Sequence, residues 1–291
     1  MKKQLTEAQQ HNIFLFNETH TAIMENEYLR EHRDLSIRTQ HVILETDGEI
    51  PHTPRFNEPA KVVVSEKGSF DAARAYRSGS VCVLNFASAT TPGGGVRTGA
   101  SAQEESLCRD STLYWCLSDE RMVGQFYTPH IKHCTPLHND DIIYTQGVVI
   151  VRDEDGKIGD QWDWRLVDVI SCAAPNLRKK PANRYNKEQG PAVQITDEEL
   201  LALHEKRARR IMSVAAEIAY ADHLILGAFG CGAFRNNPRI VAQAYKNVIP
   251  EFLDSFRTIE FAVKCGKDKT NFTVFNEILS SPQPGETEDE H

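Results

Sequence analysis

No apolar run in this chain approaches the roughly 18 residues that a membrane-spanning helix needs, so no membrane association is expected. The first ten residues, Met1 to Gln10, are polar and lack the apolar centre of a secretory signal. The 7 cysteines (Cys82, Cys108, Cys116, Cys134, Cys172, Cys231 and Cys265) include no Cys-x-x-Cys pair. That spacing argues against both a disulfide framework and a zinc ribbon. Basic residues are in deficit, 33 against 41 acidic ones, for a formal charge of −8. A protein that coats nucleic acid by bulk charge needs the opposite balance, so direct DNA binding is not expected. No internal repeat is visible. These absences point to a soluble intracellular protein, cytoplasmic or, in a eukaryote, nuclear.

What is present is an ordinary globular balance: 291 residues, 40% apolar and 25% charged. That length is enough for one large domain or two small ones. Residues 1–46 read as helical, with Phe14, Phe16, Ile23, Met24, Tyr28 and Leu29 at near-helical spacing. Pro-bearing, irregular chain follows to Glu58. We expect an accessory helical segment over 1–58, a core over 59–279 and a disordered acidic tail over 280–291. Within the core, short apolar strands alternate with helices. Val62–Val64, Val81–Leu84, Tyr144–Val151, Leu166–Cys172, His223–Leu226 and Ile259–Val263 read as strands. Phe70–Tyr76, Gln103–Leu117, Asp197–Tyr220 and a segment opened by Asn237-Pro238 read as helices, and Ala174–Thr196 as a mobile surface loop. This alternation predicts a three-layer α/β/α sandwich with a mixed sheet. Ligands in such folds bind beyond the C-terminal strand ends.

Two glycine-rich loops follow predicted strands. The first runs Asn85-Phe86-Ala87-Ser88-Ala89-Thr90-Thr91-Pro92-Gly93-Gly94-Gly95. Its triple glycine is either a flexible turn or a place where backbone approaches a ligand closely. The second, Gly227-Ala228-Phe229-Gly230-Cys231-Gly232-Ala233-Phe234, leads from a strand into a helix N-terminus, where free N–H groups favour an anion. It is neither a Walker A sequence nor a dinucleotide fingerprint. Two such loops at one sheet edge suggest a clamp on a diphosphate, which reconciles anion binding with an acidic chain. Phe234 is either a core residue or a cover for a ribose or base. After the triple glycine, Gln103-Glu104-Glu105 opens a helix. Ser101 can cap it, with Glu104 completing a capping box, while Glu105 has no capping duty. Neighbouring carboxylates on one helix cannot flank a bond from opposite sides, so the two-carboxylate glycosidase geometry does not fit. One can act as a general acid while the other holds hydroxyls.

Gly93-Gly94-Gly95, seven residues, then Gln103-Glu104-Glu105 resembles the GGG-x(6–8)-QEE signature of the poly(ADP-ribose) glycohydrolases. Asn85-Phe86-Ala87-Ser88-Ala89, Tyr144-Thr145-Gln146-Gly147-Val148 and Gly230-Cys231-Gly232-Ala233-Phe234 make the context similar to the microbial-type members, over about residues 60–265. The resemblance implies a macrodomain fold and hydrolysis of ribose–ribose O-glycosidic bonds, mainly from chain ends. It implies poly(ADP-ribose), ADP-ribose and ADP-ribosylated proteins as partners, and no metal or other cofactor. It makes Glu105 the catalytic acid and puts Glu104 on hydroxyls of the scissile ribose, with Gln103 beside them in the site. Asn85 then lies at the terminal ribose and Phe234 positions it. The triple glycine and the run Gly230, Cys231, Gly232, Ala233 and Phe234 hold the diphosphate.

Other clusters stay open. His130, His133, Cys134 and His138 are either a solvated His-rich loop or metal ligands, though the spacing matches no closed zinc motif. Cys231 reads as a small loop residue rather than a nucleophile, since no basic partner is near it in sequence. Arg178, Lys179, Lys180, Arg184 and Lys187 are either a solvated basic loop or a contact for polymer phosphates. Phe261 is a weak candidate for the adenine pocket. Two rival functions remain: removal of single ADP-ribose units from an acceptor, and an ADP-ribose reader without catalysis. The intact Gln103-Glu104-Glu105 run argues against the reader.

Overall fold

The computed structural model describes residues 4–153, 155–183 and 189–280. The expected tail beyond Ser280, and Arg184 and Lys187 of the basic loop, lie outside the described residues. The chain opens with two helices, α1 (Glu7–Glu25) and α2 (Glu27–Thr39). Thr6 and Gln9 form a reciprocal capping box on α1, and the Asn26 side chain caps α2. Helix does not continue to residue 46. His41–Ile43 is a strand, β1, that pairs antiparallel along the sheet edge. Three residues are too few to show a period-2 pattern, and pairing alone defines them. Of the apolar residues read in this segment, Phe16, Ile23 and Leu29 are buried, while Phe14 and Met24 lie largely exposed.

The core follows as β2 (Lys61–Ser65), α3 (Ser69–Ala75), β3 (Val81–Phe86), α4 (Gln103–Asp110) and α5 (Leu113–Leu117). The single helix expected over 103–117 is thus two, separated at Ser111-Thr112. Next come α6 (Glu120–Met122), a π-helical turn (Val123–Tyr127) and α7 (Thr128–His133), then β4 (Ile142–Ile150) and β5 (Arg165–Cys172). The chain closes with α8 (Asp197–Glu217), β6 (His223–Leu226), α9 (Pro238–Val248), β7 (Thr258–Ala262) and α10 (Thr270–Leu279). Thr196 and Glu199 form the expected capping box on α8, and Asn237 caps α9 with Pro238 at its first position.

The seven strands form one mixed sheet, in the order β1-β4-β5-β3-β6-β7-β2. β5, β3, β6, β7 and β2 run parallel, and β4 and β1 add an antiparallel edge. Strand alternation feeds two cores. Cys82, Leu84, Leu224 and Leu226 join residues of α8, α9 and α10 on one face. Val81, Val83 and Ile225 join residues of α3, α4, α5 and Phe16 of α1 on the other. The result is a three-layer α/β/α sandwich whose five parallel strands all end at one edge. No helix among the described residues is long and apolar enough to cross a membrane.

Candidate functional site

A cleft of about 600 Å³ lies across the C-terminal ends of the parallel strands. Its walls include Gly94, Gln103, Glu104 and Glu105 on one side and Gly230, Gly232, Ala233 and Phe234 on another. Asn85, Gly93, Gly95 and Cys231 do not line it. Phe70 and Phe86, which the sequence reading did not select, do.

The first loop is built around the two glutamates. Gly93 and Gly94 have φ of 64° and 55°, the left-handed region that glycine tolerates. A Cβ on Gly94 would lie 2.5 Å from Glu105 Oε1 and 3.0 Å from Glu104 Oε2. Gly95 N–H donates to Glu105 Oε1 at 2.8 Å, and Ser88 N–H donates to Glu104 Oε2 at 2.8 Å. Gly94 N–H donates to the Thr91 carbonyl at 2.9 Å. Two of the three amides of the triple glycine, those of Gly94 and Gly95, are therefore engaged within the chain. The first loop thus carries a second task beside the expected clamp: it holds the Glu104 and Glu105 carboxylates through Ser88 and Gly95 N–H. The capping box from Ser101 is likewise absent. Helix α4 starts after Ala102 with no side-chain cap, because Glu104 turns toward Ser88.

Both glutamates are almost fully buried, at 4% and 8% exposure. Burial, reinforced by the charge of Glu105, pushes the Glu104 carboxyl well above the ordinary carboxylate range, against the donations from Ser88, Asn85 and Gly93. Glu105 Oε2 has no hydrogen-bond partner among the described residues. Asn85, wholly buried, donates from Nδ2 to Ser171 Oγ at 2.9 Å and to Glu104 Oε1 at 3.5 Å, and its Oδ1 is likewise unpartnered. Gln103 is engaged at both ends of its amide. Nε2 donates to the Leu84 carbonyl (2.7 Å) and Ser69 Oγ (3.1 Å), and Oε1 accepts from Phe86 N–H (2.9 Å). It ties the start of α4 to the end of β3, where the sequence reading expected a ligand contact.

The second loop has the opposite character. Gly230 sits at φ 75°, and its carbonyl accepts from Asn236 at both the backbone and the side chain. Beyond it, the N–H groups of Gly232, Ala233 and Phe234 donate to no group among the described residues. Such a run of free amides at the cleft wall is a ready anion site. Asn236 is the residue that the sequence reading missed here. Its Nδ2 donates to the carbonyls of Pro175 (2.7 Å) and Gly230 (3.1 Å), and its Oδ1 accepts from His204 Nε2 of α8 at 2.9 Å. Its neighbour Asn237, a plain helix cap, drew the attention in the sequence. Phe234 is 9% exposed and packs toward His138, with ring centroids 6.0 Å apart.

The remaining candidates separate cleanly. His130 and His138 are buried, which corrects the solvated-loop reading for those two, while His133 and Cys134 are exposed as it expected. His130 Nδ1 lies 2.8 Å from the Phe126 carbonyl, and His138 Nδ1 lies 2.8 Å from the Ala174 carbonyl. Among the described residues no group of three or more His, Cys, Asp or Glu side chains is placed to hold a metal. Burial pushes the Cys231 thiol up, which removes its thiolate character. Lys179 and Lys180 are exposed, beside Leu177, whose N–H donates to the Phe234 carbonyl at 2.9 Å. Phe261 is corrected as an adenine contact. It is fully buried on the opposite face of β7, between Tyr245 and Phe275 at 5.0 and 5.9 Å.

Residues 5–153, which carry the first loop and both glutamates, match the family described as microbial-type PARG, catalytic domain. The chain belongs to the microbial-type poly(ADP-ribose) glycohydrolase family. It is accordingly a glycoside hydrolase of poly(ADP-ribose). Solved glycohydrolase structures agree. That of Thermomonospora curvata is 28% identical, with a TM-score of 0.75, covering 92% of this chain and 99% of that one. A structure of the same enzyme with the inhibitor ADP-HPD has a TM-score of 0.74 at 28% identity over the same shares. The Deinococcus radiodurans enzyme, in complex with ADP-ribose, is 30% identical with a TM-score of 0.73, covering 86% of this chain and 97% of that one. No curated protein matched the chain.

Proposed function

We propose that this glycohydrolase releases ADP-ribose from the ends of poly(ADP-ribose), free or attached to proteins, with Glu105 as its general acid. One observation carries the assignment. Glu105 has one oxygen fixed by Gly95 N–H at 2.8 Å, while its other oxygen is unpartnered and its side chain lines the cleft. An oriented carboxyl with a free oxygen is what proton transfer to a bound sugar requires. Glu104 is held by Ser88 and Asn85, and its carboxyl is raised by burial and by the neighbouring Glu105. In this reading Glu104 contacts the hydroxyls of the scissile ribose, and Asn85 supports its carboxyl from behind. The free amides of Gly232, Ala233 and Phe234 receive the diphosphate, and the Phe234 ring bounds the ribose. The ADP-ribose bound in the similar Deinococcus structure supports that ligand for this cleft.

The chemistry then runs in two proton transfers. Glu105 gives its proton to the leaving 2′-oxygen of the neighbouring unit as the C1″–O bond breaks, leaving an oxocarbenium-like ribose. Water adds at C1″, and the Glu105 carboxylate takes its proton. A positioned acid contributes about 10²–10⁴ in rate, or roughly 3–5 kcal/mol of barrier. The rest comes from orientation by the diphosphate contacts.

Release from chain ends is supported by α1. Its residues His11, Asn12 and Leu15 line the cleft, and Asn12 Nδ2 donates to the Gly99 carbonyl at 3.0 Å. Gly99 has φ 77°, and a Cβ there would lie 2.3 Å from the Gln9 carbonyl oxygen, so α1 is seated tightly on the chain between the triple glycine and α4. A wall there suits a unit that continues in one direction only.

Glu105→Gln is expected to keep ADP-ribose affinity by calorimetry and to lose about 10²–10⁴ in turnover. Near-normal release of ADP-ribose by that variant overturns the assignment. Parallel assays on polymer and on singly modified proteins decide the substrate, and activity on the second alone would sink the chain-end reading.

A further inference from the structure

The basic segment after β5 has no place in the chemistry above, yet it is fixed in one shape by a buried amide. Asn176 is fully buried. Its Oδ1 accepts from Arg178 N–H at 3.4 Å, and its Nδ2 donates to the Pro181 carbonyl at 3.2 Å. Arg178, Lys179 and Lys180 are carried on the turn between those two bonds. Asn176 Nδ2 also reaches Gln189 Oε1 at 3.3 Å, and its backbone N–H donates to the Pro136 carbonyl at 2.7 Å. Two further bonds fasten the turn to the second glycine loop. Leu177 N–H donates to the Phe234 carbonyl at 2.9 Å, and Asn236 Nδ2 donates to the Pro175 carbonyl at 2.7 Å. Arg178 and Arg235 directly follow the two residues of the first bond, Leu177 and Phe234. Lys179, Lys180 and Arg235 are exposed, and none of the four cations has an ion pair among the described residues. In a chain of net charge −8, four unpaired cations beside a run of free amides mark a place for an anion.

We infer that Arg178, Lys179, Lys180 and Arg235 form a second phosphate subsite, which takes the diphosphate of the polymer unit next to the one in the cleft. This rests on the reading above of Glu105 as the acid and of the second loop as the diphosphate receptor. The sheet supplies the direction. The second loop follows β6, the loop that mounts the glutamates follows β3, and the basic turn follows β5, and these strands are neighbours in the order β5-β3-β6. A unit with its diphosphate at the β6 loop and its scissile ribose at the β3 loop therefore points toward β5. Across the scissile bond lies the adenosine ribose of the neighbouring unit, whose 5′ side carries the next diphosphate. That diphosphate comes one sugar beyond the cut, on the β5 side, where the turn stands. Free ADP-ribose ends at C1″ and does not extend to it. Long, flexible cations suit this task, because they hold the neighbouring unit by charge and impose no geometry on the reacting bond. Fixed backbone amides are kept for the unit that must be aligned.

The test compares free poly(ADP-ribose) of defined length with ADP-ribose, for the parent, Lys179→Gln/Lys180→Gln, Arg235→Gln and a control pair, Lys61→Gln/Arg77→Gln. Lys61 and Arg77 are exposed at the opposite end of the sheet, where β2 and β3 begin, and the control pair makes the same change in charge. Lys179→Gln/Lys180→Gln is expected to raise KM for polymer about tenfold with kcat within about threefold. The slope of log KM against log salt should become shallower by about 1. ADP-ribose affinity by calorimetry should stay within about twofold. Arg235→Gln should act in the same direction and less strongly, and the control pair should keep the parent KM. An unchanged polymer KM in the turn variants, or an equal rise in the control pair, overturns the subsite. An equal loss of ADP-ribose affinity also overturns it, since the cations then serve the diphosphate already in the cleft. If the parent does not bind ADP-ribose, the reading of the cleft itself fails, and the subsite with it.

Discussion

The two glycine-rich loops look alike in the sequence and do opposite things in the fold. Each leaves a buried parallel strand, and each uses positive φ at glycine, at Gly93 and Gly94 in one and Gly230 in the other. The first turns its amides inward, onto Glu104, Glu105 and the Thr91 carbonyl. The second leaves the N–H groups of Gly232, Ala233 and Phe234 without partners among the described residues. Glycine content reports that the backbone is free to bend. It does not report what the bent backbone faces. Here one loop is a mount for acid groups, and the other, in the proposed reading, is a receptor for an anion; separating those tasks is how a negatively charged protein would hold a negatively charged ligand.

The separation is testable at the mount first, where the largest effect is expected. Gly94→Ala places a methyl 2.5 Å from Glu105 Oε1 in a backbone conformation with φ 55° that alanine adopts poorly. Both carboxylates must shift, and displacement of a catalytic group by about 1 Å costs about 10² in rate. Turnover of polymer should fall by about that factor or more, while ADP-ribose affinity measured by calorimetry changes far less. Equal losses in both would mean that the first loop also grips the ligand.

How much of this was legible depended on how local the cause was. The capping box at Thr196 and Glu199, and Asn237-Pro238, are local signals, and both helices begin where those residues place them. The three-layer class follows from alternation of strands and helices, but the order β5-β3-β6-β7-β2 does not, because it is set by which strands pair across long connections. Strand β1 was illegible because its three residues are defined only by pairing with β4. The family motif led directly to Glu104 and Glu105. The capping box assigned to Ser101 and Glu104 failed because a tertiary donor, Ser88 N–H, outcompeted the local one. Phe261 was placed in the pocket by its position on the last strand, but its side chain points to the α9 and α10 layer. Asn236 was invisible because it acts by joining segments far apart in sequence, and nothing in its neighbours marks that.

The support beneath the second loop carries a pH signature that the first does not share in sign. His204 is buried against Asn236, and burial lowers its pKa to about 4. In the unfolded chain its pKa is about 6.5. The folded state holds it neutral, so its contribution is complete above the unfolded value and is lost as pH falls through the folded one, up to about 3 kcal/mol. Glu104 works in the other direction: its raised carboxyl favours the fold at low pH and loses that advantage as pH rises from about 4.3 upward. Thermal melts from pH 7 to pH 4 should show His204→Gln losing less stability on acidification than the parent, with the Asn236 contact kept. A parallel decline in both proteins would remove His204 as the source.

The finest separation lies within the second loop, between two glycines two residues apart. A Cβ on Gly230 would lie 2.6 Å from Asn236 Nδ2 and 2.7 Å from the Ala174 Cβ, at φ 75°. Gly230→Ala must therefore disturb the link from His204 through Asn236, and ADP-ribose binding should weaken about tenfold, about 1.4 kcal/mol. A Cβ on Gly232 meets nothing within 4 Å and its φ is not positive. Gly232→Ala leaves the amide in place and adds only a methyl at the cleft wall, so affinity should stay within about twofold, near 0.4 kcal/mol. Titration calorimetry with ADP-ribose resolves the two. Near-parent affinity in both variants would mean that Asn236 does not set the loop. A loss in both would mean that the ligand packs on Gly232 more closely than an anion held at a distance by N–H groups, and that its glycine is required by contact instead of by backbone geometry.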